Sequence, residues 1–203
     1  MLAELRYKDS VQGEGDYSIC SLYFKGGKEL VTKLDRYFDD VRYLRFIETR
    51  AEIECLETLK ARNQHLIFAV TQAIQGMKKA HRLLLLNREA YNNVKGLRDN
   101  LDELTQIDEE YKSKITKLGT QRNYTIPERM AVYKEALAGL GFSVIDSVES
   151  TNGMVKERLE CAYSDEELLK LVDIKSEEFK SAKNERIARI KQQYLYPQDE
   201  REM

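Results

Sequence analysis

Between residues 28 and 121 the apolar positions recur at alternating gaps of three and four. Leu30, Leu34, Tyr37, Val41 and Leu44 make a first series. Leu66, Val70, Ala73, Met77, Ala80, Leu84, Asn87, Tyr91 and Val94 make a second, and Leu97, Leu101, Leu104, Asp108, Tyr111, Ile115 and Leu118 a third. On an α-helix this spacing gathers each series on one stripe. A strand would need alternation at every second residue, and none is evident in this stretch. The stretch holds no proline. Seven-residue repeats sustained over this length predict helices packed as a coiled coil or a bundle. Ile67, Ile74, Leu83, Leu85 and Leu86 widen the stripe, which points to a helix covered on two sides.

Two polar residues interrupt the stripe. Asn87 and Asp108 stand where apolar side chains are expected. They either fix the register of the packed helices or reach solvent as the stripe drifts by ~20° per heptad. A first helix is predicted over 28–61, a turn or kink at the polar run 60–64, and a second helix over 64–92. Residues 91–96 offer helix-stop chemistry around Gly96, but the apolar spacing runs straight through to Leu118. Residues 64–118 thus read as one helix or as two. Helices of this length suit an elongated shape, at ~45 Å for each thirty residues.

The flanks differ. Gly13, Gly15, Gly26 and Gly27 punctuate the first 27 residues around an aromatic, β-favouring run at 17–24, which predicts a short extended segment or packed arm. Gly26-Gly27-Lys28 lacks the first glycine and the Ser or Thr of a phosphate loop, and reads as a helix entry. Thr125-Ile126-Pro127-Glu128 and Ser164-Asp165-Glu166-Glu167 are two capping boxes. The first opens a helix that stops at Gly139 or Gly141. Phe142-Ser143-Val144-Ile145 is a strand fragment or packed loop, Ser150-Thr151-Asn152-Gly153 a turn, and 154–163 a helix. The second box opens a last helix reaching Tyr194, and Pro197 ends the fold. The expected fold is therefore all-α: an elongated helical bundle or antiparallel coiled-coil hairpin over 28–122, a smaller helical part over 123–203, and a non-helical N-terminal arm over 1–27.

Composition agrees with long helices, since charged residues make up 33% of the chain and tryptophan is absent. The formal net charge of −2 gives no global field toward nucleic acid or anionic membrane. Cys20, Cys55 and Cys161 are odd in number and far apart, which argues against a disulfide framework or a zinc site and for a reducing, cytoplasmic setting. No secretory signal is apparent at the start, and no apolar run approaches the ~20 residues of a membrane span.

Charge comes in blocks. Residues 78–98 carry Lys78, Lys79, Arg82, Arg88, Lys95 and Arg98 against the single acid Glu89. Residues 99–110 carry Asp99, Asp102, Glu103, Asp108, Glu109 and Glu110 with no base. A break near Gly96 would let the blocks face each other across a hairpin; without it they could pair between chains. The last helix adds Lys180, Lys183, Arg186, Arg189 and Lys191 against Glu185, which suits either its C-terminal dipole or an acidic contact. The candidate interaction surface is Lys78, Lys79, Arg82, Arg88, Lys180, Lys183, Arg186 and Arg189.

Catalytic patterns are sparse. His65 and His81 fall ~160° apart on one straight helix and could not share a metal there. No Glu-x-x-His, H-E-x-x-H, G-x-S-x-G or G-x-G-x-x-G occurs, so no catalytic, cofactor or metal residues are assigned. Asn123-Tyr124-Thr125 is a glycosylation pattern without a secretory context. Twelve tyrosines suit interfaces as well as helical cores. The expected function is non-enzymatic protein–protein interaction through a long helical surface, as a scaffold, adaptor, chaperone-like factor or inhibitor, with self-association into a homo-oligomer. A nucleic-acid-associated helical protein using basic helix faces is the second reading.

Overall fold

In a computed structural model of the chain, residues 1–8, 19–80, 88–121 and 124–196 are described. They form β1 (Leu2–Lys8), β2 (Ile19–Lys25), α1 (Lys28–Ala80), α2 (Arg88–Thr120), α3 (Ile126–Gly139), β3 (Phe142–Glu149), β4 (Val155–Cys161) and α4 (Asp165–Leu195). The fold is mostly helical, but the all-α expectation is wrong. The four strands make one antiparallel sheet in the order β2-β1-β4-β3.

β2 falls on the extended segment expected within 17–24 and β3 starts at the strand fragment expected from Phe142, whereas β4 stands where a helix is expected. The N-terminal arm is a pair of strands in which Ala3, Leu5 and Tyr7 on β1 and Cys20, Leu22 and Phe24 on β2 turn toward the core. The predicted helix over 154–163 is β4. Its inward positions are Val155, Glu157, Leu159 and Cys161, alternating with Lys156, Arg158 and Glu160. Glu157, a buried acid at an inward position, breaks the apolar alternation that would have announced a strand. The turn at residues 150–153, with Gly153 at φ 75°, joins β3 to β4 as a hairpin.

Two compact units emerge. Of the described residues, those within Met1–Glu48 and Arg122–Ala188 form the first. Here the sheet is covered on one face by the start of α1, by α3 and by the start of α4. The core joins Leu5 and Leu159 from the sheet with Leu34, Phe38, Leu137, Leu140, Leu168 and Val172. Phe38 meets Phe24 and Tyr133 ring to ring at 5.4 and 5.7 Å. Both predicted capping boxes are present: the Thr125 hydroxyl and backbone N–H bond Glu128, and those of Ser164 bond Glu167. Gly141, at φ 77°, follows α3, and the Tyr163 ring occupies the space a Cβ would need.

Of the described residues, those within Thr49–Gln121 and Arg189–Met203 form the second unit. No turn interrupts 60–64, because α1 is continuous from Lys28 to Ala80. Asn63, the centre of that polar run, is 6% exposed and its side-chain amide donates to the Leu104 carbonyl at 2.7 Å. A polar residue there fills a place in the packed seam rather than breaking the helix. The possible stop near Gly96 is likewise absent, since α2 runs unbroken from Arg88 to Thr120.

The predicted polar seam residue Asn87, the apolar cluster at 83–86, Arg82, His81, the glycines at 13 and 15, Asn123 and Pro197 lie outside the described residues.

Candidate binding surfaces of the helical hairpin

The Asn63–Leu104 hydrogen bond fixes the direction of α2 against α1. From Asn63 to Ala80 is ~26 Å of helix, and from Leu104 back to Arg88 is ~24 Å. Residues 81–87 join those two ends, and eight extended steps reach at most ~29 Å. A parallel pair would need ~50 Å, so α1 and α2 are antiparallel. Cys55, Leu56 and Ile74 on α1 and Ala90 and Val94 on α2 are buried in this unit. Leu97, Leu101, Leu104, Tyr111, Ile115 and Leu118 are half-buried on the same stripe of α2.

Asp108 keeps its seam position. Its Oδ1 is shielded from solvent without a hydrogen-bond partner among the described residues.

The hairpin exposes two unlike surfaces. Residues 66–77 of α1, LIFAVTQAIQGM, contain no charged side chain, although a third of the chain is charged. Over these three turns Leu66 is 54% and Phe68 64% exposed, with Ala69, Gln72, Ala73, Gln75 and Gly76 also open. The second surface is charged. The antiparallel run of the two helices brings Lys78 and Lys79 of α1 to the same end of the hairpin as Arg88 of α2, and the acidic block 99–110 lies farther along. The basic and acidic blocks therefore do not face each other within the hairpin.

The predicted surface residues fall in both units. Lys78, Lys79 and Arg88 are exposed on the hairpin and make no ion pair among the described residues. Arg82 lies outside the described residues. Lys180 pairs with Glu177 at 2.7 Å and Arg186 with Glu48 at 3.2 Å. Lys180, Lys183, Arg186 and Arg189 follow one another at steps of three. That spacing turns ~60° each time and spreads them over ~180° of α4. Arg189 also belongs to the second unit, whereas the other three belong to the first.

Sequence reasoning missed two features of the first unit. The face of the sheet opposite the helices carries a hollow of about 590 Å³ lined by Leu2, Tyr23, Lys25, Ile145 and Arg158, with the Arg6 guanidinium 4.9 Å from the Tyr23 ring. Its cations alternate with acids: Arg6 binds Glu4, and Arg158 lies between Glu4 on β1 and Asp146 on β3. Only the strand register brings these residues together, so a helical reading of β4 hid them.

On the helix-covered face, Glu157 Oε1 accepts from Tyr7 Oη at 2.9 Å and Lys134 Nζ at 2.8 Å, and its Oε2 is shielded without a partner among the described residues. Burial, then the bond to Glu157, pushes the Tyr7 phenol up to about 12, which keeps it a donor at neutral pH. This network ties β1, β4 and α3 together.

Reactive chemistry is muted. The three cysteines are free, and burial pushes the Cys20 and Cys55 thiols up, away from the reactive thiolate. His65 is exposed. Among the described residues no cluster of His, Cys, Asp and Glu is arranged to hold a metal ion, and no helix is long and apolar enough to cross a membrane. Comparison with protein families, curated proteins and solved structures finds no match to this chain.

Proposed function

We propose that the protein works by binding rather than by catalysis, and that the uncharged segment 66–77 of α1 receives an apolar helix face of another protein. Leu66 and Phe68 carry this reading, because each leaves more than half its surface open on a stretch with no charge to hold water. Leu66 and Phe68 stand ~160° apart around α1, at the two edges of an uncharged arc filled by Ala69, Gln72, Ala73 and Gly76, and an uncharged surface of this kind costs solubility unless a partner covers it. Two-helix hairpins present such surfaces as grooves or ridges for a third helix. Free, non-reactive thiols fit a reducing, cytoplasmic setting.

The test is affinity capture with the wild-type chain and with the Leu66→Glu/Phe68→Glu variant, both checked by circular dichroism. A partner held by the wild type and weakened at least about tenfold by the variant supports the reading, since two buried large apolar side chains contribute well over 1.4 kcal/mol. Equal capture by both chains removes it.

A second reading, binding to a nucleic-acid backbone, is favoured by Lys78, Lys79, Arg88, Lys95 and Arg98, which face only Glu89 in sign at one end of the hairpin. Salt-dependent retardation of labelled DNA or RNA, lost on reversing Lys78 and Lys79, would support it; no retardation at low salt would remove it.

A further inference from the structure

The outer side of α2, away from the seam, holds a charge pattern that is its own complement. Arg88, Tyr91, Lys95, Arg98, Asp102, Gln106 and Glu109 follow at helical spacing on one side, with Asp99 beside them. All are exposed. Within the stripe from Arg88 to Glu109, every charge before the Arg98–Asp99 junction is positive and every charge after it is negative, and the next charge on this side is Lys117. We propose that this face docks against the same face of a second copy of the chain, antiparallel, about a two-fold axis at that junction. The two-fold sets Arg88 against Glu109, Lys95 against Asp102 and Arg98 against Asp99, each pair occurring twice. It sets Tyr91, 48% exposed, against Gln106. A parallel pairing would put like charges together at each of these positions, so the pattern selects orientation as well as partner.

The charges are available for this role. Arg88, Lys95, Arg98, Asp99 and Asp102 make no ion pair among the described residues, and Glu109 has only an exposed 3.6 Å contact with Lys112. Lys95–Asp99 and Arg98–Asp102 are spaced four apart along the helix, but with the base first, the weaker order for an intrahelical pair. The matched stripe spans Arg88 to Glu109, ~32 Å of helix. It uses none of residues 66–77, so its failure would leave the proposed partner surface on α1 standing, and the reverse.

The test is sedimentation equilibrium of the full chain, wild type against two charge-reversed variants. One is Arg88→Glu/Lys95→Glu/Arg98→Glu, the other Asp99→Lys/Asp102→Lys/Glu109→Lys. The wild type should self-associate at about 0.1 M salt and weaken at least about tenfold at about 1 M, where the Debye length falls from ~10 to ~3 Å. Each variant alone should be monomeric with unchanged helicity, and an equimolar mixture should form a heterodimer. A wild type monomeric at low salt, self-association insensitive to salt, or a mixture that stays monomeric would each overturn the proposal. So would retention of nucleic acid by this stripe in place of a second copy, seen as retardation abolished by the first variant from a wild type that stays monomeric.

Discussion

Two polar side chains in the α1–α2 seam are mirror cases of one rule. Asn63 is buried and satisfied; the Asp108 Oδ1 is shielded and is not. Replacing Asn63 with Asp substitutes a carboxylate that cannot donate to the Leu104 carbonyl. That change should cost about 2 kcal/mol near neutral pH, with part of the loss recovered at acid pH, where the protonated acid can donate. Urea denaturation at the two pH values measures it; an unchanged midpoint at neutral pH would count against the buried bond. Replacing Asp108 with Leu removes an unpaired oxygen from an apolar stripe and should stabilise the hairpin by about 1 kcal/mol, seen as a higher urea midpoint. Sequence spacing alone exposed Asp108 as out of place. It could not find Asn63, because a polar residue inside a polar run looks like a break until its partner on another helix is known. Glu157 misled in the same way: its partners Tyr7 and Lys134 are distant in sequence, and only they make an acid tolerable at an inward strand position.

Helix starts were the most legible elements, because a capping box is written within four consecutive residues. Thr125→Ala should cost about 1 kcal/mol through loss of the α3 cap, measured by thermal denaturation. The boxes also give a pH signature. Backbone and hydroxyl bonds from Thr125, with Arg45, hold the Glu128 carboxyl below its ordinary value, and bonds from Ser164 do the same for Glu167. A folded value below the unfolded one means stabilisation that is complete above the ordinary carboxylate range and lost as pH falls through the depressed value. Glu128→Gln should therefore lower the melting temperature at about pH 7 and converge on the wild type as the pH falls through the depressed value. A difference that persists in acid would assign the effect to packing instead. Strands were the least legible elements, because each is seven or eight residues long and gains its stability from neighbours far along the chain.

For the molecule as a whole, the same distinction separates what a stripe reveals from what pairing decides. The heptad pattern identifies helices that need covering, but not where the chain turns back. That point determines which charges share an end, which residues line the seam, and which faces remain for partners. Because α1 and α2 run antiparallel, Lys78, Lys79 and Arg88 share one end of the hairpin, and the outer charges of α2 stay exposed. Distance measurement between spin labels at Arg62→Cys and Glu103→Cys tests this arrangement most directly, in a chain with Cys20, Cys55 and Cys161 replaced by Ala and diluted with unlabelled protein. The antiparallel hairpin requires a separation of about 20 Å or less, set by helices packed 8–10 Å apart and the label arms. A distance near ~60 Å, the length of forty-one residues of uninterrupted helix, would contradict it.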